Sequence, residues 1–511
     1  MSAPSAPLPH VLALGPPRLT AGFDEAARLD RRTHLAVHGS APRWSADELV
    51  RLAEAVALRG RGGAGFPFAR KLRAVGRAAH RRGVRPVVVV NGCEGEPACR
   101  KDEVLIERAP HLVLDGALLA AEALGARTLV IGVTRPGTEA SAREALAERG
   151  LSERRGRTVR ARVVRLPERM VSGESSALLR AIAGGPALPP GRRERSAEQG
   201  LGGLPTLLSN TETFAQLALA ARLGPDRYAT TGTPDEPGTV LLTVSGAVPQ
   251  TCVVEAPGGV ALSYVLDLCG AVPASQGVLV GGYHGGWLDA PTAAAAHLSR
   301  ASLAACGASL GAGAVLPLPG DTCPLGETVR VAHWLAAESA GQCGPCRLGL
   351  PSLAGALAAV VAGGGRGALE VVREAAGAVR GRGACGHPDG AARFVLSALA
   401  AFTDDLAAHV LGSGCGRPTA GLLPLPGATG RAQDGGRAER LAVDWTLCEG
   451  HGLCEGLLPE LVRIGGDGYP VLADAGVPGH LRERARRAVR RCPALALRLD
   501  RDRERDRDRD R

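Results

Sequence analysis

The sequence predicts an α/β fold with a parallel sheet, then a strand-rich module, a helical region and a small cysteine-bearing unit. Three observations carry this reading. Apolar β-branched runs at Val87-Val88-Val89-Val90 and at residues 128–133 alternate with helical patterns, the ordering that builds a sheet with helices on its faces. At 511 residues the chain exceeds what one hydrophobic core supports, so about three or four domains are expected. Composition also shifts late in the chain: residues 412–436 are rich in Gly, Pro and Ala, and a compact unit with its own cysteine pattern follows.

In order, residues 1–45 are Pro-rich and lead in. Residues 46–58 read as a helix, with Leu49, Leu52 and Val56 at helical spacing and Asp47 and Glu48 in the first turn. The valine strand runs straight into an acidic loop, and residues 112–124, 128–133 and 139–148 continue as helix, strand and helix, placing an α/β domain over 46–238. Residues 240–246, Gly258-Gly259 and 262–268 switch to a β-grasp-like module over 239–325. Residues 326–411 are nearly all helical, 412–437 form a linker, 438–499 a small α+β unit, and 500–511 a tail of alternating charge.

The net charge of +10 invites a nucleic-acid reading, but the arginines are scattered and aromatics make up only 3%, so no stacking platform accompanies them. The first fifteen residues hold three prolines and no basic stretch before an apolar run, unlike a signal peptide. Residues 348–365 are the best membrane candidate, yet their glycines and proline favour a buried helix. A soluble cytoplasmic protein is therefore expected. There the thirteen cysteines stay reduced, as metal ligands or small buried residues.

Of 61 basic residues only two are lysines, and both lie in dense motifs. Lys71 closes Arg59-Gly60-Arg61-Gly62-Gly63-Ala64-Gly65-Phe66-Pro67-Phe68-Ala69-Arg70-Lys71, and Lys101 follows Asn91-Gly92-Cys93-Glu94-Gly95-Glu96-Pro97-Ala98-Cys99-Arg100. A compact ammonium and a planar guanidinium are not interchangeable beside a phosphate or a flat ring. The glycines let backbone amides approach an anion or a ring without Cβ obstruction. This is not the dinucleotide fingerprint, because it follows a helix instead of a strand. A third cluster, Pro205-Thr206-Leu207-Leu208-Ser209-Asn210-Thr211-Glu212-Thr213, concentrates hydrogen-bonding side chains before a helix.

Together these segments resemble, over residues 59–409, the flavin-bearing NADH-oxidising subunit family of respiratory complex I and its relatives in NAD-linked hydrogenases and formate dehydrogenases. The resemblance implies a Rossmann-like FMN domain, an SLBB β-grasp-like module and a helical-bundle iron-sulfur domain. It assigns to cofactor binding Gly60, Gly62, Gly63, Gly65, Phe66, Lys71, Asn91, Glu94, Glu96, Gly173, Glu174, Asn210 and Thr213, with Glu212 also matching. Departures are Cys93 for an Asp, Ser209 for an Asn, and Ala74 for an aromatic beside adenine. In Met170-Val171-Ser172-Gly173-Glu174-Ser175 only Gly173 and Glu174 of the family segment persist, so the grip on NAD(P)H is thinned.

The family's Glu-Ser-Cys-Gly-Gln-Cys-x-Pro-Cys stands here as Glu338-Ser339-Ala340-Gly341-Gln342-Cys343-Gly344-Pro345-Cys346, with Cys385 further on. Three thiolates leave a 4Fe-4S cluster with an open iron, a 3Fe-4S cluster, or a substitute ligand such as His387; a zinc site would likewise lack a fourth donor. Cys448, Cys454 and Cys492-Pro493 resemble the single-cluster ferredoxins of actinobacteria, usually 3Fe-4S, and His451 is a further candidate ligand. No serine, histidine and carboxylate dyad or triad suggests itself, and Cys252, Cys269, Cys306, Cys323 and Cys415 read as buried fillers.

The resemblance implies electrons passing from NAD(P)H through FMN and iron-sulfur clusters to a redox partner protein, with a membrane-bound haem protein or a quinone reductase among the candidates. The chain would then sit in the cytoplasm or at the inner membrane face. Two other readings stay open: a flavin and cluster relay that binds no nicotinamide, and a degenerate scaffold.

Overall fold

The computed structural model describes residues 7–151, 159–191, 195–272, 275–426, 439–472, 477 and 481–501. They form two units, residues 1–424 and 425–511. The strands of the first are β1 (His10–Ala13), β2 (Val87–Gly92), β3 (Thr128–Val133), β4 (Arg160–Arg165), β5 (Thr206–Asn210), β6 (Thr239–Val244), β7 (Cys252–Pro257), β8 (Ser275–Val280), β9 (Gly286–Asp289) and β10 (Ala314–Pro319).

Four of them make a parallel sheet in the order β4-β3-β2-β5. Helices cover both faces, which is why β2 is an unbroken valine run: Val88 and Val90 enter one core, Val87 and Val89 the other. The tightest helix contact on this sheet is between Pro110–Leu124 and Thr211–Tyr228, where a Cβ on Gly116 would stand 1.8 Å from the Phe214 carbonyl oxygen.

The second sheet is mixed and six-stranded, ordered β1-β7-β6-β10-β8-β9. Its side chains alternate between two cores, Leu241 and Val253 facing the α/β domain while Val240, Leu242 and Val254 face away. The lead-in is part of this sheet, because β1 pairs in parallel with β7. Beyond it the backbone N–H groups of Arg18, Leu19 and Thr20 donate to the buried Glu255 carboxylate at 2.9–3.0 Å.

Helices Pro324–Ala337, Leu350–Val361, Gly365–Val379, His387–Ala401 and Thr403–Val410 follow. Among the described residues no helix is long and apolar enough to cross a membrane. The first part of the expected linker is packed: Leu422 and Leu423 donate their N–H groups to the buried Glu327 carboxylate, and Leu423 is fully buried. Residues 427–438 and 502–511, which hold the rest of the linker and most of the charged tail, lie outside the described residues.

The second unit pairs β11 (Glu439–Val443) with β14 (Leu497–Arg501), and β12 (Val462–Ile464) with β13 (Pro470–Leu472), both antiparallel. Helices Leu453–Leu457 and Arg482–Arg491 complete it.

Candidate functional site

In the parallel sheet the chain runs from β2 outward to β3 and β4, then returns to place β5 on the other side of β2. The carboxyl ends of β2 and β5 therefore flank the topological switch point, where open α/β sheets bind their ligands. Asn91 and Asn210 are register partners there. Asn210 caps the helix Thr211–Tyr228, its Oδ1 accepting from Glu212 N–H at 3.0 Å. Asn91 Nδ2 donates to the Gly173 carbonyl at 2.9 Å.

The glycine loop lies over this crevice. Arg61 N–H donates to Thr213 Oγ1 at 2.9 Å, and a Cβ on Gly62 would sit 3.2 Å from Asn210 Cβ. Gly63 adopts φ +108°, a backbone that favours glycine. Lys71 donates to the Leu208 carbonyl at 2.7 Å, and burial lowers its pKa. Phe66 is 44% exposed beside the loop, whereas Phe68 is core, edge-on to Phe214 at 6.0 Å.

Behind the crevice lies a buried charge cluster. Lys101, 2% exposed, donates to Glu212 at 2.8 Å and to Asp102 at 3.2 Å. Burial opposes its charge, but the two carboxylates outweigh burial and hold its pKa above the ordinary value. Glu212 also accepts from Leu241 N–H at 3.1 Å, so the cluster ties both sheets together. Glu94 accepts from the N–H groups of Asp102 and Glu103 at 3.2 and 3.1 Å, serving the first turn of helix Lys101–Arg108. Glu96 accepts from Tyr283 N–H at 2.8 Å, and burial pushes its pKa up to about 7.

An open cleft of about 230 Å³ adjoins this cluster, lined by Gly60, Arg61, Gly63, Lys101, Glu212, Arg300 and Gly311 among others. Gly60 and Gly63 thus reach the cleft, while Lys71, Asn91, Glu94 and Glu96 make protein contacts around it. Arg300, which no motif in the sequence marks out, closes one side; a Cβ on Gly65 would stand 2.5 Å from its guanidinium. The Nε atoms of Arg61 and Arg300 are buried without a hydrogen-bond partner among the described residues. Arg61 also pairs with Glu212 at 3.8 Å, and the two unbonded Nε–H donors beside a Cβ-free loop fit an anionic group carrying a flat ring.

The segment 169–174 connects this crevice to the central cysteines. A Cβ on Gly95 would stand 2.3 Å from the Arg169 carbonyl oxygen, and one on Gly173 2.9 Å from that of Cys93. On its far side Met170 N–H donates to Glu338 at 3.1 Å and Arg169 to the Ser339 carbonyl at 3.2 Å. Glu174 caps the helix Ser175–Ile182, accepting from Ser176 and Ala177 N–H groups at 2.9 Å each, and its charge raises the pKa of Cys385 after burial does.

Cys346 lies in the π-turn Pro345–Gly349, and its thiol is raised by burial first, then by Cys343 and Cys385. Burial also opposes ionisation of Cys343, but the Ala384 and Cys346 amides outweigh it, and its pKa is lowered. Three neighbouring thiols, one favouring the thiolate, suit iron. His387 has both ring nitrogens engaged, with His284 at 3.0 Å and the Leu335 carbonyl at 2.8 Å, so it is committed to packing and not to a metal. With Ala340 in the fourth place, the unmodified central site is expected to hold three irons, or four with one labile. Ala340→Cys should convert it to a stable four-iron form, read by iron analysis and low-temperature paramagnetic resonance. Full four-iron occupancy before mutation would mean that another residue supplies the ligand.

In the second unit Cys448, Cys454 and Cys492 border one core; Cys454 is raised by burial first, with Cys448 and Cys492 adding to the shift. His451 Nε2 is 3.8 Å from the Glu449 carboxylate on the exposed rim.

Comparison with known proteins agrees with this geometry. Residues 53–219 match the Nuo51 FMN-binding domain, 327–409 the NADH-ubiquinone oxidoreductase-F iron-sulfur binding region, and 441–499 a 4Fe-4S single cluster domain. The chain is 30% identical over 385 residues to the F-type (F 2) subunit of NADH-quinone oxidoreductase from Rhizobium meliloti, covering 72% of this chain and 90% of that one. It is 27% identical over 426 residues to NADP-reducing hydrogenase subunit HndC of Solidesulfovibrio fructosivorans, covering 81% and 83%. A crystal structure of NAD+-reducing [NiFe]-hydrogenase in the H2-reduced state superposes with TM-score 0.64 at 31% identity, over 72% of this chain and 63% of that chain, slightly under two thirds of its length. The protein thus carries an FMN-binding domain and two iron-sulfur regions, and it belongs to the family of F-type NADH-quinone oxidoreductase subunits.

Proposed function

We propose that this chain is the electron-entry subunit of a multi-subunit oxidoreductase, taking electrons from NAD(H) at FMN and passing them through the central cysteine site and the carboxy-terminal single-cluster domain to a partner protein. The observation that carries it is the continuous packed path from the glycine-loop crevice through residues 91–95 and 169–174 to Cys343, Cys346 and Cys385. FMN supplies the exchange between a two-electron hydride donor and one-electron carriers. The protein's part is to bind and orient. The Cβ-free loop admits the ring, and Arg61 and Arg300 offer donors to the anionic end, while Phe66 is half-exposed on the loop with the Arg70 guanidinium over its ring.

Further parts of the reading are an SLBB identity for residues 239–325 and a ferredoxin fold for 438–499. We place the chain in the cytoplasm, peripheral at the inner membrane face. A second reading, a relay that binds no nicotinamide, is favoured by one observation: the Glu174 carboxylate is committed to capping its own helix.

Anaerobic titration of purified protein with NADH decides between them. Bleaching of the flavin followed by a cluster signal is expected; reduction by dithionite but not by NADH would support the second reading. Lys71→Ala should lower the flavin released by acid several-fold, and unchanged flavin content would remove Lys71 from the site.

A further inference from the structure

Outside both sites, the structure gathers Cys323, His409 and Cys415 so that their ligand atoms all lie within 4.8 Å of one another. They come from three places: the residue capping helix Pro324–Ala337, the last turn of helix Thr403–Val410, and the strap that follows. Cys323 and His409 are buried and Cys415 is half-buried. Their separation in sequence hides them, since only the fold brings position 323 to position 409.

Cys323 Sγ is 3.4 Å from His409 Nε2. A tetrahedral zinc ion, with Zn–S near 2.3 Å and Zn–N near 2.0–2.1 Å, sets sulfur and nitrogen ligands about 3.6 Å apart. The second coordination sphere is also in place. His409 Nδ1 bonds the Val361 carbonyl at 2.9 Å, which fixes the tautomer and turns the Nε2 lone pair towards the cysteines. Cys323 Sγ accepts the Gly326 N–H at 3.2 Å at a helix N-terminus, a hydrogen bond that offsets part of the rise burial imposes on the thiol.

We propose that Cys323, His409 and Cys415 form a structural zinc site, with a water in the fourth position, that pins the strap of residues 412–424 to the helical region. The strap's other anchors surround it: Cys323 N–H donates to the Pro418 carbonyl at 2.8 Å, Ala420 N–H to Thr322 Oγ1 at 3.0 Å, and Arg417 pairs with Asp405. Without metal the same geometry is a thiol donating to an imidazole, and burial holds the Cys323 thiol up near 11. Zinc bound through Cys323 and Cys415 displaces the proton of each thiol, so its binding releases two.

The test uses the full chain purified without oxygen, with zinc, iron and flavin counted together. About one zinc per chain is expected, falling about tenfold in Cys415→Ser with iron and flavin unchanged. Zinc equal in the two proteins, absent from both, or replaced by a Cys323–Cys415 disulfide would overturn the assignment. Should Cys415→Ser fail to fold, cobalt(II) added to chelator-stripped wild-type protein decides. A thiolate-to-cobalt charge-transfer band with tetrahedral ligand-field absorption that is present in the wild type and diminished in His409→Gln, whose other cysteine sites are intact, supports the site; equal bands in the two proteins overturn it.

Discussion

Lys101→Met is expected to destabilise the larger unit by about 3–5 kcal/mol, the usual cost of leaving buried charge without its partner. Lys101 is fully enclosed and its ammonium meets both Asp102 and Glu212, with Glu94 close enough to add to its charge-stabilising field. Removing the cation leaves the buried Asp102 and Glu212 carboxylates without the charge that sits between them. Thermal unfolding followed by flavin fluorescence would show a lower midpoint together with loss of flavin at lower temperature. Arginine is not expected to rescue the variant. A planar fork does not reproduce the point contacts that one ammonium makes with Asp102 and Glu212. An unchanged midpoint in Lys101→Met would mean that the carboxylates have taken up protons and that the ammonium is dispensable.

Cys454→Ser should abolish the compact state of the second unit while sparing the first. Its core is small: Val443, Leu458, Leu461, Val462, Val477, Leu481, Ala485, Ala488 and Leu497, with the three cysteines at the edge. In so short a segment a single apolar core rarely supplies more than about 3–5 kcal/mol, so cluster binding becomes folding free energy. Limited proteolysis of the whole chain reads this directly. The wild type should protect residues 439–501, and Cys454→Ser should lose that protection while a large fragment from the first unit survives. Equal protection in the two proteins would show that the thiols only fill space.

Elements with a strong local signature are legible in the sequence. The strand at 128–133 has the bounds expected, and the valine strand at 87–90 extends two residues further. These segments carry a run or a period that needs no distant partner. The four residues of β1 carry neither. They are a strand only because β7, some 240 positions away, offers its edge. Arg300 is hidden for a related reason, since one arginine in a chain saturated with them stands out only when it is seen against Gly65. Cys323 and Cys415 read as fillers because ligand spacing is a local clue, and theirs is built by packing. The two lysines are informative, and the structure shows how: Lys71 and Lys101 both direct the ammonium inward, to a carbonyl and to carboxylates respectively.

The crevice also has a history in time. Its walls come from the glycine loop near residue 60, the acidic loop, the cap at Asn210, Arg300 and Gly311, so about 250 residues separate the first wall from the last. At a synthesis rate of about 5–20 residues per second, roughly 10–50 s pass between them. During that interval the glycine loop is on the ribosome without the partners that hold it, and Glu212 waits for the Leu241 amide. Flavin capture therefore waits until about three fifths of the chain has been made, and the supply of free flavin matters most after residue 313 has emerged.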